Sequence, residues 1–158
     1  MKLSQALSQR ADLQKRIQQL RSRLKDCAWV QEGDSPAEDP KELRRELDAC
    51  LEQFSSLVYS INRTNFLSKD PEGRTLTFLI AERDALSLKV NSLRDISSSL
   101  SESSNRYSRS EIKHVRTMDL GALNREIDAL SKQLRELDTT IQGLNWSVDL
   151  IAKLYLSQ

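Results

Sequence analysis

The sequence predicts an all-α protein of four long antiparallel helices, arranged as helical hairpins or as a four-helix bundle with coiled-coil-like seams. The composition is typical of long helices: 30% of the 158 residues are charged, 5% are aromatic, and there are only four glycines and three prolines. Apolar residues recur at alternating steps of three and four in four segments, which polar turn signals separate. Because a period of 3.5 residues keeps an apolar seam facing a partner helix, the pattern favours helix packing over a sheet. At this length we expect one helical domain over residues 1–158.

The first two helices are predicted over residues 2–29 and 40–68. Asp39 supplies an N-cap acceptor and Pro40 suits the first helical position, so the second helix should begin there. Both seams are regular and carry few interruptions. The first consists of Leu3, Ala6, Arg10, Leu13, Ile17, Leu20, Leu24 and Cys27, and the second of Leu43, Leu47, Cys50, Phe54, Leu57 and Ile61, after which it reaches Thr64.

The third and fourth helices are predicted over residues 75–103 and 119–145. The stretch KDPEG at 69–73 has proline at the second turn position and glycine at the fourth, and so joins the second and third helices as an antiparallel hairpin. Asp119 can cap the fourth helix. The apolar seam of the fourth helix continues to Ile151, whereas Gly143 disfavours a helix interior. Whether this helix ends near residue 145 or continues to residue 156 therefore stays open.

The connection between the third and fourth helices is ambiguous. Residues 96–110 contain eight serines, whose hydroxyls compete for backbone groups, so the third helix should end within this stretch. Residues 106–118 fit both an extended and a helical pattern. The pattern alone does not decide between the two.

The stretch INRTN at 61–65 places polar residues where the second seam should continue. We expect Asn62 and Asn65 to face the packed side of the helix. Three interpretations remain open. The amides fix register and oligomeric state, they form a ligand pocket where the loop carrying Arg74 folds back near Arg63, or the run is ordinary surface polarity.

Charge and hydropathy exclude several classes of partner. With 24 basic and 23 acidic residues, the chain has no charge excess that favours nucleic acid or an anionic membrane. The amino terminus has no apolar signal-peptide region, and no run reaches the roughly 18 apolar residues of a membrane helix. Cys27 and Cys50 lie on apolar stripes without metal-ligand spacing, which favours a reducing compartment. We therefore expect a cytoplasmic protein.

Candidate chemistry is sparse, and no cofactor is expected. Glu111 and His114 have the spacing of two metal ligands on a helix, but this weak candidate lacks the further ligands that a helical metal site needs, because the chain has only one histidine. Arg106, Tyr107 and Arg109 can stack on a base and hold phosphate. That footprint is too small to favour nucleic-acid binding in a neutral chain.

Several motifs together carry a resemblance to a known family. INRTN at 61–65, GRTLT at 73–77, AERD at 81–84, RYSRSEIK at 106–113 and NW at 145–146 resemble the septicolysin-like family of small uncharacterised bacterial proteins. The resemblance implies a bacterial domain of unknown function, with a membrane-acting toxin as the activity that the family name suggests. The candidate polar cluster, structural or binding, comprises Asn62, Arg63, Asn65, Arg74, Arg83, Arg106, Tyr107, Arg109, Asn145 and Trp146.

The favoured function is a non-catalytic, self-associating helical scaffold. Apolar residues flank the seams and widen the apolar faces beyond what one partner helix covers, which predicts a homo-oligomer, a dimer or higher. The flanking positions are Leu7, Ala11, Leu51, Val58, Ile80, Leu88 and Ile96. The alternatives are the membrane-acting toxin and a small-molecule or metal binder that uses the Asn/Arg cluster.

Overall fold

The structure is a computed structural model that describes residues 1–102 and 115–152. It has four α-helices: α1 (Leu3–Asp26), α2 (Pro40–Leu67), α3 (Leu76–Glu102) and α4 (Leu120–Ser147). Within the described ranges extended pairing is confined to isolated bridge residues, among them the antiparallel bridge between Lys2 and Asp149. The all-α class is therefore confirmed, and each helix begins and ends within one turn of its predicted bounds.

Two of the predicted helix starts are fixed by aspartate caps. The Asp39 carboxylate accepts the backbone N–H of Lys41 at 2.9 Å, immediately before α2. The Asp119 carboxylate accepts the N–H groups of Gly121 at 2.8 Å and Ala122 at 3.1 Å at the start of α4. These bonds satisfy N–H groups that have no partner inside the helix.

Residue contacts divide the chain into two units. Unit 1 consists of Met1–Lys69 together with the chain from Leu144 onward, and unit 2 is Asp70–Gly143. The first boundary follows α2 and the second falls inside α4. Each unit has its own buried apolar residues.

Unit 1 is built on the antiparallel pair of α1 and α2. Its apolar cluster consists of the buried residues Leu20, Cys27 and Leu43, with Leu24, Leu47 and Cys50 packed against them. Ion pairs that join Arg16 to Glu46 and Arg23 to Glu38 lie along the same pair of helices. From one pair to the next, the residue number in α1 increases while the residue number in α2 decreases, which is the register of antiparallel helices. Both cysteines are free and act here as small apolar residues.

Unit 2 pairs α3 with α4 in the same antiparallel sense. Arg83 lies 3.9 Å from Asp138, and Lys89 lies 3.3 Å from Glu126. Further along, the Ser97 hydroxyl is bonded to the Asn124 side chain at 2.7 Å. The buried apolar residues described in this unit are Leu76, Leu79, Val90, Leu123, Ile127 and Ile141, which recur at helical spacing along α3 and α4.

Candidate functional site

The polar stretch at 61–65 binds a segment of its own chain. After α4 ends, residues 148–152 form what we call the C-terminal segment. The Thr64 hydroxyl accepts the backbone N–H of Ile151 at 2.9 Å and donates to the Ser60 carbonyl at 2.7 Å. The neighbouring Arg63 donates from Nη1 to the Ala152 carbonyl at 3.0 Å. Two consecutive side chains of α2 thus hold the backbone of this segment.

The amino terminus also binds the C-terminal segment. The Leu3 N–H donates to the Val148 carbonyl at 2.9 Å, and the Leu150 N–H donates to the Met1 carbonyl at 2.8 Å. Lys2 adds an ion pair of 3.0 Å to Asp149. These bonds form the isolated bridge, and they connect the two ends of the described chain within unit 1.

The orientation predicted for Asn62 is wrong. Its side chain is exposed, and that of Asn65 is only half-buried, whereas Thr64 is fully buried. The physical reason is the seam itself, because steps of four and three from Leu57 lead through Ile61 to Thr64. Sequence reasoning reached Thr64 on the seam but chose the two amides as the buried polar groups.

Arg74 is held within the turn before α3. The Asp70 carboxylate, with a side chain only 1% exposed, accepts the Arg74 backbone N–H at 2.8 Å, the Glu72 N–H at 3.0 Å and the Arg74 guanidinium at 2.8 Å. Gly73, with φ of 84°, provides the left-handed backbone that closes the turn. The predicted turn is therefore present, and its organising residue is Asp70, which the sequence analysis did not single out.

The electrostatics of this turn follow from the same bonds. Burial alone raises the pKa of the Asp70 carboxyl, but the hydrogen bonds from Arg74 and Glu72 and the positive charge of Arg74 outweigh it, so this pKa lies below its usual value. The hydrogen bond to Asp70 raises the pKa of the Arg74 guanidinium. Arg63 and Arg74 belong to different units, and each is engaged by partners in its own unit.

The other members of the predicted cluster have varied surroundings. Arg83 pairs with Asp84 at 2.7 Å and with Asp138. Asn145 is buried, and its side-chain oxygen has no hydrogen-bond partner within the described structure, whereas Trp146 is 68% exposed. Arg106, Tyr107, Arg109, Glu111 and His114 lie outside the described residues. Elsewhere, the described ranges contain no group of three or more His, Cys, Asp or Glu side chains placed to hold a metal.

Unit 2 also has an open cleft of about 750 Å³ between α3 and α4. Most of its charged lining is already paired. Arg74 lies 3.1 Å from Glu72 and 2.8 Å from Asp70, and Lys89 lies 3.3 Å from Glu126. Ligand sites usually combine an apolar pocket with a few convergent polar groups, and this cleft does not have that character.

A row of exposed side chains, apolar except for Ser92, runs along α3, and we call it the outer stripe. Its members are separated by steps of three and four and are all exposed: Phe78, Ala81, Ala85, Leu88, Ser92 and Ile96. Leu88 is 70% exposed, whereas Leu79 and Val90 on the buried face of the same helix are at most 1% exposed. The sequence predicted Leu88 and Ile96 as positions that flank the seam of the third helix, but it was not recognised that they belong to one row on α3.

Comparison with known proteins gives a family without an assigned activity. Residues 10–150 match the model of a family of unknown function, DUF6847. The chain belongs to this family. A search of curated proteins finds no match.

A solved structure supports the fold of this DUF6847 protein. A crystal structure described as that of a functionally unknown conserved protein from Corynebacterium diphtheriae is 43% identical in sequence, with a TM-score of 0.89. The match covers 96% of this chain and 99% of the other. Neither the family nor this neighbour points to septicolysin, so the septicolysin-like resemblance is wrong.

The toxin interpretation of the DUF6847 chain rested on that resemblance and falls with it. Among the helices of the described ranges, none combines the length and the apolar character of a membrane-spanning segment.

Proposed function

We propose that this DUF6847 protein is a non-catalytic scaffold that associates with copies of itself through the outer stripe of α3. The observation that carries the proposal is the outer stripe, which presents Phe78, Leu88 and Ile96 to solvent over five turns of α3, with small side chains between them. Single exposed apolar residues are ordinary on protein surfaces, but an aligned row marks an interaction site. Leu88, at 70% exposure, lies near the middle of this row.

The spacing of the outer stripe suits another helix as the partner. The five steps from Phe78 to Ile96 average 3.6 residues, which keeps the row on one face of α3 and is close to the 3.5-residue period of a coiled-coil seam. Fully burying a side chain such as that of Leu88 contributes about 1.5–3 kcal/mol. Phe78 and Ile96, at 48% and 39% exposure, add to the apolar area that a partner helix can cover.

The surroundings of the polar residues support a non-catalytic role. Arg63 and Thr64 hold the C-terminal segment, and the Arg74 guanidinium is bonded to Asp70. A binder of small molecules or metals through this cluster would need these groups to be available to a ligand. Their hydrogen bonds instead connect parts of the chain to one another.

A cytoplasmic location belongs to the same proposal. Cys27 and Cys50 are free and pack in the apolar cluster of unit 1. Secreted proteins usually use cysteines in disulfides, whereas cytosolic proteins keep them reduced. Fractionation of cells that express the tagged full chain tests this part of the proposal, and a secreted product would contradict it.

Light scattering coupled to size-exclusion chromatography tests self-association. We expect the wild-type chain to elute at twice its 18.1 kDa mass or more, and Leu88→Glu to elute as a monomer. Asn91→Glu is the matched control, because it adds the same charge to an exposed site of the same helix outside the outer stripe. Circular dichroism should show equal helix content in all three. A wild-type chain that stays monomeric at 100 µM would overturn the proposal.

A further inference from the structure

We infer that two copies of the chain pack α3 against α3 in antiparallel orientation, with the two-fold axis passing between positions 86 and 87. This inference rests on the proposed self-association and adds the orientation and register of the contact. A two-fold contact uses the same surface on both copies, so the surface must be complementary to itself. The outer stripe of α3 has this property in its shape and in its charges.

The outer stripe places small and large residues at matching distances from the proposed axis. Positions 85 and 88 are equally far from the proposed axis, and so are positions 81 and 92. In the antiparallel pair, Ala85 of each copy therefore faces Leu88 of the other, and Ala81 faces Ser92. Cores fill best where small side chains face large ones, as Ala85 and Leu88 do in this register, whereas Ala81 and Ser92 are both small. A parallel pair would instead place Ala85 against Ala85 and Leu88 against Leu88. The two small alanines would then leave a gap beside the layer of leucines.

One flank of the outer stripe carries opposite charges that this register brings together. Glu82 and Lys89 are both exposed and lie seven residues apart, on the same side of the stripe. Within one chain about 10 Å of helix rise separates them, but across the proposed axis the offset between Glu82 and the second copy's Lys89 is only about 3 Å. The antiparallel pair thus brings these opposite charges together twice.

Lys89 remains able to serve this contact. Its ammonium group lies 3.3 Å from Glu126 of its own chain, with 55% of the side chain exposed. An ammonium group has three N–H donors and can contact two carboxylates. Because exposed ion pairs contribute little to affinity, the apolar stripe drives association and the charges select the orientation.

Crosslinking of full-length single-cysteine additions tests the register. We expect a short bismaleimide to join chains that carry Ala81→Cys to chains that carry Ser92→Cys when the two are mixed, because facing helices lie about 8–10 Å apart. Ile96→Cys alone should remain uncrosslinked, because about 28 Å of helix rise separates position 96 from its copy in this register. The wild-type chain, with Cys27 and Cys50 only, gives the background.

The outcomes separate this inference from the proposed function. Crosslinking of Ile96→Cys to itself, with none in the mixture, indicates a parallel pair and overturns the register. A dimer by light scattering without either crosslink shows that another surface associates, which overturns the register but leaves self-association intact. A monomeric wild-type chain overturns both.

Discussion

The Thr64 hydroxyl and the backbone N–H of Ile151 are hydrogen bonded at 2.9 Å, although 87 positions separate them in the sequence. The same hydroxyl donates to the Ser60 carbonyl at 2.7 Å, so it serves as donor and acceptor at once. A hydroxyl buried on an apolar seam destabilises the fold unless it is bonded. Thr64 meets that requirement by holding the C-terminal segment of unit 1.

Replacing Thr64 by valine should release the C-terminal segment. Valine keeps the shape of threonine but has no acceptor for the part-buried Ile151 N–H, and leaving this N–H unpaired should cost at most the about 1–3 kcal/mol of a fully buried group. Urea denaturation should show a loss of that order, and hydrogen exchange at Ile151 should accelerate. Thr64→Ser is the matched control, because it retains the hydroxyl. Unchanged protection of Ile151 in Thr64→Val would show that other contacts hold the segment.

The ion pair at the amino terminus should matter much less. Lys2 and Asp149 lie 3.0 Å apart, but 43% and 72% of their side chains are exposed, so solvent screens the attraction. Exposed pairs of this kind contribute about 0–1 kcal/mol. We therefore expect Asp149→Asn to leave the free energy of unfolding nearly unchanged while Thr64→Val lowers it. A larger loss in Asp149→Asn than in Thr64→Val would contradict this order.

The stability of the turn at Asp70 should depend on acid pH. The folded-state pKa of Asp70 lies below its unfolded value of about 3.9, so the carboxylate stabilises the fold above that pH and loses its contribution as the pH falls through the folded value. Asp70→Asn should therefore lower the melting temperature at pH 7, and its difference from the wild type should shrink toward pH 2. Thermal melts across this range measure both effects.

A matched control for this pH dependence is Asp128→Asn, at an exposed position of α4 in the same unit. It removes the same charge without removing the bonds that organise the turn. A melting profile of Asp70→Asn that runs parallel to that of the wild type at all pH values would show that the Asp70 carboxylate does not couple to folding.

The sequence predicts where the helices begin and end more clearly than it predicts which segments pack against them. The seams predict the four helices, and the caps at Asp39 and Asp119 predict two of the starts, because both signals are local in the chain. The bond from Thr64 to Ile151 could not be predicted in this way, since a heptad pattern shows that a face is buried without showing what buries it. The wrong prediction that Asn62 faces the packed side has the same origin. A run of polar residues does not show which of them lies on the seam. The signal that was available was the step of three from Ile61.

Alanine substitutions at two leucines should distinguish effects on folding from effects on self-association. Leu20 is fully buried in the apolar cluster of unit 1, so Leu20→Ala should lower the free energy of unfolding by about 2–5 kcal/mol. Leu88 is 70% exposed, and Leu88→Ala should change that free energy by only about 0.5 kcal/mol when measured at concentrations where the chain is monomeric. Self-association should respond in the opposite order, with a clear weakening in Leu88→Ala. Denaturation at low concentration and light scattering at high concentration measure the two effects. A loss of monomer stability in Leu88→Ala as large as in Leu20→Ala would place Leu88 in the folded core and remove the outer stripe as an interface.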